Sequence, residues 1–142
     1  MQGLPHDYRA EASTSGSAHV STRCPGQPEL TIAPPSNFGG PGDIHSPEDL
    51  QVAAIASCFI LSFRAIAAAS KLDWQRIEVH ASGTLDQQDR AVLFTGFFLD
   101  VTLALEDAAH ADKAQRLLDK AKQSCFITNS LKAETTMSVS IT

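Results

Sequence analysis

Two cysteines carry the chemical interest of this sequence. Cys58 lies in "IASCFILSF", residues 55–63, one of the most apolar stretches of the chain, and Cys125 lies far downstream in "SCFITNSLK". A cysteine in greasy surroundings ordinarily behaves as a small hydrophobe. Two thiols brought together from distant segments could do more, one thiolate attacking an oxidant and the other resolving the product. Spacing alone leaves both readings open, a redox pair or two inert core cysteines. The third, Cys24 in "TRCPGQ", reads as an exposed turn residue.

Other chemistries find no support. The sequence has no CxxC pair, no close-set zinc ligands, no GxSxG, no Walker-type loop and no dinucleotide fingerprint. Neither a metal nor an organic cofactor is therefore expected. The net charge of −5, with no basic run, argues against nucleic acid or an anionic membrane as the main partner. The opening residues, "MQGLPHDYRAEAS", lack a basic head followed by an apolar stretch. With an odd count of three cysteines, a reduced, cytoplasmic setting is expected.

These sulfurs must be held by ordered elements. A chain of 142 residues with 43% hydrophobic and 19% charged content suits a single domain, 1–142, with a sizeable core. Residues 6–33 read as short strands around "DYRAEA", "AHVSTR" and "ELTIAP", and residues 34–45 as a Gly- and Pro-rich loop. Ser46-Pro-Glu-Asp then supplies a cap, a first-position proline and first-turn acids for a central helix over 46–71.

Residues 50–69 are long enough to cross a bilayer of roughly 30 Å. The run contains Gln51, Ser57, Ser62, Arg64 and many alanines. An arginine at a membrane-helix centre costs about 2.5–3.5 kcal/mol, which alanines offset poorly. A buried helix of a soluble protein is expected instead. Because it is apolar on nearly every side, it must be covered by sheet, by other helices or by a second subunit.

Downstream, alternation predicts a long hairpin over 75–105, with Phe97, Leu99, Val101, Leu103 and Leu105 on one face and a bulge near Gly96. A second helix follows over 108–123, then a final strand over 133–141. The order of elements gives an α+β fold, a mostly antiparallel sheet with helices packed on one side.

At this point the motifs combine. "SPEDLQVAAIASCFILSFRAIA" followed by "SCFITNSLK", with the Gly-rich loop and the hairpin between them, resembles the OsmC/Ohr family of osmotically inducible and organic-hydroperoxide-resistance proteins, over nearly the whole chain. The resemblance implies an intertwined homodimer that reduces organic hydroperoxides at the expense of an external dithiol. It also implies Cys58 as the peroxidatic thiol, Cys125 as the resolving thiol and Glu48 as an acidic partner.

Two positions depart from the hydroperoxide-resistance pattern. The arginine that would sit beside the first thiol has no obvious counterpart in "GSAHVSTRCPG". Arg23 is the nearest candidate, ahead of Arg9 and His19. Phe126 follows Cys125 where a proline is usual, which points to the broader OsmC-like branch. Glu48 and Cys58 are separated by about 15 Å along one helix axis, so the acid would act through an arginine or from a second subunit. The alternative implied activity is a non-catalytic module holding a small lipophilic molecule in an interface pocket.

Overall fold

The computed structural model describes residues 2–142. The backbone gathers into two compact units, Met1–Leu50 and Gln51–Thr142.

The first unit is built on a small antiparallel sheet of β1 (Glu11–Ser13), β2 (Val20–Arg23) and β3 (Leu30–Ile32), in the order β1-β2-β3. The loop after β3 folds tightly because Gly40 has no side chain. A Cβ there would lie 1.6 Å from the Pro34 carbonyl oxygen, while the Gly40 N–H donates to the Pro35 carbonyl at 3.0 Å. Ser46 then caps α1 (Pro47–Ala69) by a reciprocal pair of bonds. The Asp49 N–H donates to the Ser46 hydroxyl, and the Ser46 N–H donates to Asp49 Oδ2, each at 3.0 Å. Such a pair satisfies donors that a helix start otherwise leaves free. It places the start of α1 where the Ser-Pro-Glu-Asp signal predicts.

The second unit carries the main core. β4 (Trp74–Gln88) and β5 (Ala91–Leu105) form the expected hairpin, turning on Asp89 and Arg90 alone, with Asp89 left-handed at φ 57°. The pairing jumps from Thr84↔Gly96 to Leu85↔Phe94, leaving Thr95 as the extra residue of a bulge beside Gly96. β6 (Glu134–Ile141) adds to the other edge of β5 in parallel register. The fold class is α+β, as the element order predicts.

Phe97, Leu99, Val101, Leu103 and Leu105 are all buried, whereas Phe98, Asp100 and Thr102 between them are exposed. The buried face meets Ile55, Phe59, Phe63 and Ala67 of α1, and Ala114, Leu118 and Ala121 of α2 (Ala111–Ser124). Phe63 meets Trp74 edge-on with ring centroids 5.6 Å apart. Both helices therefore cover one side of the sheet.

The expectation that α1 is covered all round is met only in part. A single helix face packs on the sheet, while Ala53, Ser57, Leu61, Arg64, Ala65 and Ala68 lie exposed on the other side. A straight helix offers one stripe to one sheet, which leaves its other side for something else to cover. By length and composition alone α1 also meets the criterion for a membrane-crossing helix.

Candidate active site

The two downstream cysteines reach each other through different elements. Cys58 sits half-buried on α1, between the buried Ile55 and Phe59. Cys125 ends the apolar stripe of α2, following Ala114, Leu118 and Ala121 at helical spacing, and is 1% exposed. At Cys125 the backbone leaves the helical region, at φ −66° and ψ 116°, and re-enters it at once in a single turn, α3 (Phe126–Asn129). Cys125 thus closes one helix and opens the next.

That break creates the environment of the first thiol. The opening N–H groups of a helix have no carbonyl behind them to bond. In α3 the Asn129 N–H bonds back to the Cys125 carbonyl at 3.0 Å, whereas the N–H groups of Phe126 and Ile127 are among the groups that favour the Cys58 thiolate. The Cys125 thiol and the Ser62 hydroxyl act on it in the same direction.

Burial pushes the Cys58 thiol up, because a thiolate loses hydration there. The Ile127 N–H, the Cys125 thiol, the Phe126 N–H and the Ser62 hydroxyl together outweigh burial and hold it below its ordinary value. Hydrogen bonds that favour the charged form have this effect.

The two thiols differ in exposure. Cys58 is the thiol open to solvent and the one favoured as thiolate, while Cys125 is sealed in the core behind it. All three cysteines are free. A reagent arriving from solvent would meet Cys58 before Cys125.

The other residues singled out from sequence, Glu48, Arg23 and Cys24, belong to the first unit. Glu48 is half-buried in the first unit, and its Oε2 is buried with no hydrogen-bond partner among the described residues. Arg23 is exposed at the end of β2, in a shallow groove with Glu11, Ser21 and Glu29, where the Ser21 hydroxyl donates to Glu29. Among the described residues no cation figures among the groups that shift Cys58. Cys24 is exposed in the turn after β2. Among the described residues no cluster of three His, Cys, Asp or Glu side chains is placed to hold a metal ion.

Sequence reasoning missed two features. Ser62 stands one helical turn beyond Cys58, a spacing that was legible but carried no motif. The Phe126 and Ile127 amides were not legible, since "FITN" has β-branched residues and no capping residue at its start. Phe126, directly after Cys125, is 79% exposed.

Comparison with known proteins places this geometry in context. The sequence profile of the OsmC-like protein family matches residues 40–140, which contain both cysteines. The uncharacterised protein YmaD of Bacillus subtilis is 23% identical over 131 residues, covering 89% of this chain and 87% of its own. An OsmC-like protein of unknown function from Vibrio cholerae superposes with a TM-score of 0.88 at 18% identity, covering 96% of this chain and all of the other. An organic hydroperoxide resistance protein from Elizabethkingia anophelis superposes with a TM-score of 0.78 at 21% identity, covering 100% of this chain and 99% of its own. With the profile spanning the helix of the first thiol, the hairpin, the second thiol and nearly all of the last strand, the chain belongs to the OsmC-like family.

Proposed function

We propose that this protein is a thiol-dependent reductase of organic hydroperoxides, with Cys58 as the peroxidatic and Cys125 as the resolving thiol. The observation that carries the proposal is the contact between a half-exposed, thiolate-favouring Cys58 and a sealed Cys125. The hydroperoxide-resistance name of a structural relative supports the same substrate class.

In the proposed cycle the Cys58 thiolate attacks the distal peroxide oxygen. The O–O bond breaks, an S–O bond forms, and the alkoxide leaves and takes a proton to become the alcohol. The sulfur has lost two electrons and stands as a sulfenic acid. Cys125 then attacks that sulfur, forming a disulfide and releasing water. An external dithiol reduces the disulfide by exchange and is itself oxidised. A reduced cytoplasmic setting suits this cycle, and it calls for no metal or organic cofactor.

The working form is proposed to be a homodimer. A second copy would cover the exposed Leu61, Ala65 and Ala68 side of α1 and would give the orphaned Glu48 carboxylate oxygen a route to a cation. Glu48 would act through an arginine, for which Arg23 is the candidate. A membrane is not proposed as a partner, nor is nucleic acid.

A second reading, a non-catalytic module holding a small lipophilic molecule, is favoured by one observation. No cation stands among the groups acting on Cys58. Consumption of cumene hydroperoxide with a dithiol present decides between the readings. Turnover that is lost in Cys58→Ser supports the reductase. Turnover unchanged in that variant, or absent in the native chain, overturns it.

A further inference from the structure

We propose that Lys113 is a positioning residue for the two thiols, its ammonium pinning the start of α2 to the end of α1 so that Cys125 stands level with Cys58. The use of that pair in peroxide reduction rests on the reductase reading, whereas the register of the helices does not. The Lys113 Nζ donates to the Ser70 carbonyl at 2.7 Å, and both residues are half-buried.

The end of α1 shows why that carbonyl is free to accept. Lys71 is left-handed at φ 55°, and the chain closes back on the helix there. The Leu72 N–H donates to the Ala67 carbonyl at 2.9 Å, and the Lys71 N–H to the Ala68 carbonyl at 3.2 Å. This closure serves two of the last carbonyls and leaves that of Ser70 for a group from elsewhere. A cation at this point also meets the negative end of the helix dipole. Lys113 gains nothing of the kind from its own helix. It is the third residue of α2, at the positive end, where an acid such as Asp112 is favoured and a lysine is not. Its place is explained by α1.

The lengths of the two arms then match. Cys58 lies 12 residues before Ser70, and Cys125 lies 12 residues after Lys113. At 1.5 Å per residue each arm spans about 18 Å. Two antiparallel helices tied at one end bring the far ends of equal arms level with each other. The influence of the Cys125 thiol on Cys58 accords with that register. Otherwise both helices pack on one apolar core, with Phe59 and Phe63 from α1 and Ala114 and Leu118 from α2, and apolar packing is non-directional. A slip of one residue moves a thiol by about 1.5 Å, more than the roughly 1 Å range of Cβ separations that a disulfide accepts.

The test measures the pairing of the thiols in a glutathione buffer, with Cys24 replaced by serine and the products mapped by mass. Glutathione disulfide takes two electrons and leaves as two thiols, while Cys58 and Cys125 each give up a proton and join. Lys113→Met and Lys113→Gln, which remove the cation, are expected to lower the equilibrium constant for the disulfide by about tenfold. Lys113→Arg, which keeps a cationic donor, should stay near the native value. Val139→Ala loosens the same core from β6 and should lower the unfolding midpoint while leaving the constant unchanged. Under cumene hydroperoxide, Lys113→Met and Lys113→Gln should hold more Cys58 sulfenic acid, trapped by dimedone, because resolution slows and the first attack does not. A native constant in Lys113→Met and Lys113→Gln, a Lys113→Arg constant displaced as far as theirs, or an equal fall in Val139→Ala would overturn the register role. So would a native chain that forms no disulfide between Cys58 and Cys125. A chain that forms the disulfide in glutathione and reduces no hydroperoxide would remove the reductase reading, while the equilibrium still decided the register.

Discussion

The amide of Ile127 favours the thiolate of Cys58 across 68 residues of intervening chain, and it is available to do so because α2 breaks at Cys125. The residue proposed to resolve the oxidised thiol is thus also the hinge that frees the amides stabilising the reduced one. Packing supports both roles. Cys125 continues the α2 stripe that locks against the sheet, so the amides that follow it have a fixed origin.

The first prediction follows from the direction of the Cys58 shift. Its folded value lies below the ordinary thiol value of 9.0, so folding favours the thiolate. The sign for stability is then fixed. The stabilisation is fully present above the ordinary value and is lost as pH falls through the folded one. Between those two values the protein should gain stability as pH rises, and Cys58→Ser should remove that dependence. Chemical denaturation across this window, with Cys24 replaced by serine to limit cross-linking, measures it.

The cap of α1 gives a second. Ser46 is fully buried and bonded both ways to Asp49, so Ser46→Ala should cost about 1 kcal/mol, read as a lower denaturation midpoint. The Ser46 N–H, then the Ser46 hydroxyl, hold the Asp49 carboxyl below its usual value. That contribution is present above the unfolded carboxylate value and disappears as pH falls through the folded one. Asp49→Asn should therefore blunt the acid side of the stability profile and leave neutral-to-alkaline behaviour alone.

How much of this was readable from residue order depends on the kind of signal. Strand β5 announces itself, because Phe97 through Leu105 alternate so strictly that only one face can be buried. The start of α1 is equally plain, since Ser46, Pro47 and Asp49 each favour a helix N-terminus for a separate physical reason. Which face of α1 meets its own sheet is not readable. Ile55, Phe59 and Phe63 differ little in type from Ile60 and Leu61, and only the packed structure separates them.

The site divides in the same way. Cys58 and Cys125 are identifiable from sequence through the family resemblance. Two of the groups that favour the Cys58 thiolate, the N–H groups of Phe126 and Ile127, are backbone groups, which leave no trace in side-chain identity. Arg23 illustrates the converse. Its charge marks it as a candidate in the sequence, yet its surroundings within the first unit are Glu11, Ser21 and Glu29.

A third prediction tests the core that holds the thiol helix. Phe59 follows Cys58 directly and is fully buried against the sheet. Phe59→Ala should cost about 3–5 kcal/mol, observed by thermal or denaturant unfolding. It should also loosen the register between Cys58 and α3, raising the pH needed for Cys58 alkylation. Phe98→Ala, on the opposite and exposed face of β5, should leave that pH unchanged.

The pairing of the two sulfurs is tested most directly by treating the protein with cumene hydroperoxide and mapping its three cysteines by mass spectrometry without reduction. A peptide pair linked through Cys58 and Cys125, with Cys24 still free, is the expected product, and in Cys125→Ser the oxidation should stop at a sulfenic acid on Cys58. Oxidation that leaves Cys58 a free thiol, or that joins it only to Cys24, would contradict the account.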